Sequence, residues 1–149
     1  MFALNLPAFE YKIRQDQGKN RIFDPLRRKF VALTPEEWVR QHFVNYLIDE
    51  KGFPAGRMCN ECIINLNGLK RRCDTVLFDA FLKPLVIVEY KAPTITVNQA
   101  VFNQIAAYNM ALKVKYLIVS NGLNHYCCRM DYENQKVDYL ETIPNYIDL

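Results

Sequence analysis

A chain of 149 residues suits one domain with a real core, and with 50% hydrophobic and 23% charged residues it is composed like a soluble globular protein, not a disordered one. The formal net charge of +3 does not by itself demand a nucleic-acid partner, although Arg27-Arg28-Lys29 and Lys70-Arg71-Arg72 concentrate basic residues locally. No run approaches the roughly 20 apolar residues that span a bilayer, and an N-terminus that meets Pro7 and Glu10 without a basic leader does not read as a secretory signal. A cytoplasmic protein that contacts no membrane is therefore expected, with its five cysteines as reduced thiols.

In chain order, residues 1–149 read as a single domain, with 1–33 an N-terminal extension and 34–131 the core. Tyr11 to Arg14 and Arg21 to Phe23 flank a polar stretch and predict a small hairpin packed on the main body. Thr34-Pro35-Glu36-Glu37 then signals a helix start: a threonine N-cap, proline at the first helical position, and Glu37 three residues after the cap, as in a capping box. At 100° per residue, Val39, Phe43, Val44, Tyr46, Leu47 and Ile48 form one apolar arc. Glu36 and Arg40 fall inside that arc and Glu37 at its edge, so Glu37 has a local duty as cap whereas Glu36 points toward the core. Glu36 then either forms a half-buried i,i+4 pair with Arg40 or supplies a third acid to a site formed elsewhere. Lys51-Gly52 ends the helix.

Ile63 to Leu66 reads as a strand, Asn67-Gly68 as a tight hairpin, and the basic run leads into a second strand whose apolar part is Thr75 to Phe78. A loop from Asp79 to Pro84 turns the chain into Leu85-Val86-Ile87-Val88 and then Glu89-Tyr90-Lys91. Side chains alternate faces along a strand, so Glu89 and Lys91 share one face and Tyr90 takes the other. If the two strands pair antiparallel, Asp74 comes near Glu89. Two carboxylates and an ammonium beside buried apolar runs are costly unless paired. A cross-strand ion pair is one solution; a hard divalent cation is another, since Mg²⁺ takes one or two carboxylates plus waters and phosphate oxygens.

After Pro93 a second helix is predicted from about Thr96 to Leu112, with Val97, Ala100, Val101, Ile105, Tyr108 and Leu112 facing the core. Gln104 lies within that stripe, one turn before Tyr108, and so needs hydrogen-bond partners. Tyr116 to Ser120 is a buried strand, Asn121-Gly122 a turn, Tyr126 to Met130 a further strand, and Val137 to Ile143 an edge strand or tail. The CxxC at Cys59-Asn60-Glu61-Cys62 lacks two further ligands at zinc spacing. No GxxxxGK[ST] loop is present to cradle phosphates.

Assembled, these residues resemble the PD-(D/E)XK nuclease pattern and its restriction-endonuclease-like fold: an α/β (α+β) three-layer core, a mixed sheet flanked by helices, here with an N-terminal hairpin. More narrowly, the chain resembles the N-terminal nuclease domain of type I restriction enzyme R subunits (HsdR). Glu36-x3-Arg40 resembles that family's first helix, Arg72-Cys73-Asp74 and Glu89-Tyr90-Lys91-Ala92-Pro93 its two strands, Gln104-x3-Tyr108 its later helix, and Ser120-Asn121-Gly122 its turn. The match runs from about residue 33 to 130, with Cys73 where the superfamily pattern has proline.

The resemblance implies Mg²⁺-dependent hydrolysis of DNA, with Mn²⁺ able to substitute. Asp74 and Glu89 would hold the metal, the Tyr90 carbonyl adding a ligand; Lys91 would orient or deprotonate water; Glu36 would act through a water or a second ion; Gln104 and Tyr108 would support the site. Lys70, Arg71 and Arg72 are candidate phosphate contacts. R subunits carry a helicase motor after this domain and this chain stops at Leu149, so a separate helicase, translocase or restriction-system subunit is an expected partner. Two other readings stay open: a module on the same fold that binds nucleic acid or a partner protein without cutting, and a structural subunit docked on a separate motor.

Overall fold

Three short strands open the computed structural model, which describes residues 1–149: β1 (Ile13–Asp16), β2 (Lys19–Asp24) and β3 (Lys29–Ala32). β1 and β2 form the expected hairpin around Gln17 and Gly18, both at positive φ. β3 was not expected. It pairs antiparallel to β2, setting Phe23 opposite Phe30. The chain before β1 folds over the first helix: Phe9 and Tyr11 meet His42 and Trp38 edge-on, and the Trp38 indole N–H donates to the Phe2 carbonyl at 2.8 Å.

Helix α1 (Pro35–Asp49) starts as its sequence predicts, the Thr34 hydroxyl accepting the Glu37 N–H at 3.1 Å. Every residue from Glu37 to Val44 is buried, because the sheet covers one side of the helix and the N-terminal segment much of the other.

The main sheet has six strands in the order β4 (Met58–Leu66), β5 (Leu69–Phe78), β6 (Pro84–Tyr90), β7 (Tyr116–Ser120), β8 (His125–Asp131), β9 (Lys136–Leu140). Only β6 and β7 are parallel, and a parallel neighbour needs a crossover; helix α2 (Gln99–Met110) supplies it. Val39, Phe43 and Leu47 of α1 pack on Leu77, Val86, Val88 and Ile118, while Phe102 and Ala106 of α2 pack on Val76, Ile87, Leu117 and Val119. The result is three layers, helix–sheet–helix. The sheet continues past residue 131 through β9.

Three local details differ from expectation. β4 begins at Met58, so Cys59 and Cys62 lie inside a strand, Cys62 opposite Cys73, while all five thiols are free as expected. α2 starts later, at the N-cap Asn98, whose side chain accepts the Val101 N–H at 2.9 Å. Its core stripe is Phe102, Ala106 and Asn109, one residue on from the predicted 101, 105 and 108, or about 100° round the axis. Ala100, Gln104 and Tyr108 are exposed.

The β4–β5 ribbon also changes face. Strict alternation would place Met58 and Ile64 on one side of the sheet, yet Met58 packs with α1 and Ile64 with α2. On β5, likewise, Leu77 belongs to the α1 side and Cys73 to the α2 side with Val76. The exchange falls at Glu61, whose φ is +53°, opposite Asp74, where the pairing between Asn60↔Thr75 and Cys62↔Cys73 is interrupted. A non-glycine residue in this conformation bends and twists the strand.

Candidate active site

Asp74 sits where β5 leaves its partner β6. The last paired residues are Thr75 and Val88, so the next step along each strand sets Asp74 across from Glu89. Asp74 Oδ2 accepts the Tyr90 N–H at 2.8 Å. Burial, then the Asp74 charge and a hydrogen bond to it, push the Glu89 carboxyl up to about 8, against the opposing pull of Lys91 and Arg40. Two carboxylates this close cannot both ionise easily.

Glu89 and Lys91 share a face, as alternation predicts, and Tyr90 turns to the other side, its hydroxyl donating to Thr75 Oγ1 at 2.9 Å. Glu89 and Lys91 line a cleft of about 280 Å³ together with Arg72, Gln104, Ile105, Tyr108 and Asn109. Gln104 and Tyr108 therefore do not face the core; they are exposed on the wall of this cleft. The Arg71 guanidinium lies 3.5 Å from the centre of the Tyr108 ring and donates to the Tyr108 carbonyl at 2.8 Å. Lys70 is exposed on β5 and makes no side-chain bond. A larger cleft of about 660 Å³ lies against α1, lined by Phe9 to Lys12, Phe23, Pro25, Gln41 and Asn45, and contains neither Asp74 nor Glu89.

Glu36 is corrected by the structure. It is exposed and reaches neither Arg40 nor the acid pair, whereas Glu37 is buried. Side chains of a helix slant toward its N-terminus, so a residue in the first turn overhangs the layer below even when its angle on the helical wheel points inward. Glu37 instead accepts from Gln41 at 2.9 Å and from Arg27 at 2.6 Å, and faces Arg40 Nε at 3.2 Å. Its carboxylate therefore does not close the capping box.

Two residues near the acids went unassigned in the sequence: Arg40 as a contact of Asp74, and Glu61. Arg40 is buried, donates to the Asp74 carbonyl at 2.6 Å, and pairs with Glu61. Glu61 also accepts from Arg72 at 2.6 Å, and its two arginines hold its carboxyl below the ordinary range despite the opposing effect of burial. Behind them a buried chain of bonds runs from Tyr90 through Thr75 and Asn60 (Thr75 Oγ1 to Asn60 Oδ1, 2.7 Å) to Asp24, which Arg27 links to Glu37. No alternation rule points to Glu61, because the twist that brings it beside Asp74 is local to its own backbone.

The donor set fits a hard divalent ion. No group of three or more acidic, histidine or cysteine side chains is arranged to hold a metal ion, but Mg²⁺ needs only one or two carboxylates, with waters and substrate oxygens completing its shell. Asp74 and Glu89 are the two carboxylates that could hold such an ion.

A three-layer core whose mixed sheet carries an aspartate on one strand and Glu-x-Lys on the next, with a crossover helix adding Gln-x3-Tyr, defines the restriction-endonuclease-like class of α/β folds. A solved structure of similar fold is the fragment of a putative HsdR subunit of a type I restriction enzyme from Vibrio vulnificus YJ016, at TM-score 0.50 and 21% identity; the alignment covers 77% of this chain and 24% of that one. The family model for the type I restriction enzyme R protein N terminus matches residues 35–144, and the chain belongs to that family. It spans about a quarter of the Vibrio chain. A comparison with curated proteins finds no match.

No helix is long and apolar enough to cross a membrane.

Proposed function

We propose that the chain is a metal-dependent nuclease domain that hydrolyses DNA phosphodiesters at the cleft lined by Glu89 and Lys91, with Asp74 across from Glu89. The observation that carries the reading is the convergence of Glu89, Lys91, Gln104, Tyr108 and Arg72 on one cleft, with Asp74 against Glu89. Asp74 and Glu89 would hold Mg²⁺, or Mn²⁺ in its place. Such an ion, when bound, polarises a phosphoryl oxygen and eases ionisation of water.

The chain's own residues do the rest. Lys91 brings an ammonium to the same face as Glu89, where it orients the attacking water and stabilises charge developing on the phosphate. Gln104 offers an amide donor from the opposite wall. Arg71, stacked on Tyr108, and the exposed Lys70 and Arg72 supply positive charge for the flanking backbone. Tyr90 fixes Asp74 through its N–H. Glu36, exposed and unbonded to the cluster, has no place in this scheme; Glu37 serves the scaffold through Arg40. Other subunits of a restriction system, including a helicase or translocase, are the proposed protein partners.

The test is a cleavage assay on plasmid, linear duplex and single-stranded DNA with Mg²⁺, Mn²⁺ or chelator, beside Lys91→Ala. Metal-dependent cutting that Lys91→Ala abolishes supports the proposal. Retention of DNA with no cleavage under any of these conditions leaves a binding module instead.

A further inference from the structure

Arg72 is 69% exposed and lines the cleft beside Glu89 and Lys91, yet it is not a free cation. Its Nε–H is taken by Glu61 Oε2 at 2.6 Å, and that is the one hydrogen bond its guanidinium makes. The two terminal nitrogens are left unpaired on a side chain that lines the cleft. Those two nitrogens are the edge that matches phosphate bidentately. Glu61 in turn cannot follow Arg72 outward, because its other oxygen is paired with the buried Arg40, which also holds the Asp74 carbonyl at 2.6 Å. An unbroken run of bonds thus connects the backbone of the first acid to the guanidinium at the cleft wall.

We propose that Glu61 is a positioning residue: anchored by Arg40, it holds the Nε edge of Arg72 so that the terminal nitrogens face a DNA phosphate next to the one being cut. The proposal rests on the nuclease reading for the identity of its ligand. Charge alone argues that a carboxylate so near should weaken anion binding. Geometry argues the reverse, because an arginine tethered at Nε loses less rotamer freedom when its fork closes on phosphate. The two give opposite signs for the removal of Glu61.

The experiment measures binding of a short labelled DNA duplex, with Ca²⁺ replacing Mg²⁺, across a salt series, for wild type, Glu61→Ala, Glu61→Gln, Arg72→Ala and the Glu61→Ala/Arg72→Ala double variant. Arg72→Ala is expected to weaken binding on the order of tenfold and to lower the salt slope by about 0.9, the loss of one phosphate contact. Glu61→Ala should weaken binding nearly as much with the same loss of slope, and the double variant should be no worse than Arg72→Ala. Glu61→Gln, which keeps one acceptor oxygen, should fall between. Effects that multiply in the double variant overturn the assignment, as does tighter binding by Glu61→Ala, which would mean Glu61 competes with phosphate for Arg72. Should Glu61→Ala not fold, Glu61→Gln decides: an unchanged affinity and salt slope overturns the proposal. Wild-type protein that binds no DNA would sink the nuclease reading together with this one, whereas wild-type binding with independent effects removes only the role of Glu61.

Discussion

The Tyr90 N–H donates to Asp74 Oδ2 at 2.8 Å, so the first acid of the pair is anchored on the strand that carries the second. Asp74 therefore has a structural duty and a proposed chemical one, and two substitutions separate them. Asp74→Ala leaves the Tyr90 N–H without its partner and should cost about 1–3 kcal/mol. Asp74→Asn keeps an acceptor oxygen there, should unfold within about 1 kcal/mol of wild type, and should cleave DNA at least about 100-fold more slowly. Urea unfolding beside a cleavage assay checks both, and wild-type cutting by Asp74→Asn would remove Asp74 from the chemistry.

The Glu89 carboxyl, raised to about 8 by burial and by Asp74, makes the metal-free protein sensitive to pH. The folded state holds this proton more tightly than the unfolded chain, whose value is near 4.5. The stabilisation is thus complete below that lower value and fades as pH rises through the upper one. With chelator present, the melting temperature should fall between about pH 6 and pH 9, by the equivalent of a few kcal/mol at most. Glu89→Gln should flatten the profile and be more stable than wild type at the alkaline end. Mg²⁺ should raise the melting point of wild type at about pH 8.5 and leave Glu89→Gln little changed. A flat profile for wild type would show that the two acids do not crowd one another.

The thiols of Cys62 and Cys73, opposite each other on β4 and β5, are both pushed up to about 12, by burial first, then by interaction with Cys59 at Cys62 and by the charges of Glu89 and Asp74 at Cys73. Burial likewise raises Cys127 to about 12 and Cys128 to about 11. Thiolate is the reactive form, so these four should alkylate at least about tenfold more slowly in the folded protein than in urea at pH 8. Mass spectrometry after timed iodoacetamide treatment reads this site by site. Rapid modification of Cys73 in the native protein would mean that the ribbon opens where it meets the acids.

How far the sequence could be read depended on whether a position answered to a periodic rule. Asn67-Gly68 forms a two-residue turn with both φ values positive, as that dipeptide suggests, and Glu89 and Lys91 share a face because they stand two positions apart where β6 ends. Thr34 caps α1 for equally local reasons. Rules of period failed where an element ends or bends. Glu36 had the right angle for the core but stands in the first turn, and Glu37 is drawn inward by Arg27, which arrives from a strand connection that no helical wheel contains. Periodicity places the stripe of α2 one residue from the buried one, because apolar side chains occupy both flanks: Phe102 and Ala106 are buried, and Val101 and Ile105 only partly so. Glu61 was invisible for a different reason: its place beside Asp74 comes from one left-handed backbone conformation inside an otherwise ordinary strand.

Arg40 is the residue on which the scaffold and the proposed site both depend. It is 5% exposed and faces two carboxylates, Glu37 at 3.2 Å and Glu61, while donating to the Asp74 carbonyl at 2.6 Å. Arg40→Met, similar in volume, strips both acids of a buried partner and should destabilise by about 3–5 kcal/mol. Arg40→Lys should recover little of this, since one ammonium cannot span three acceptors that a planar guanidinium reaches together. Adding Glu61→Gln to Arg40→Met removes one of the two charges that Arg40 had faced, so the double variant should lose less than the sum of the two singles, by on the order of 1 kcal/mol or more. Chemical unfolding of the four proteins supplies the cycle. Strict additivity would mean that Arg40 and Glu61 are held independently and that no bonded path joins α1 through Glu61 to the cleft wall.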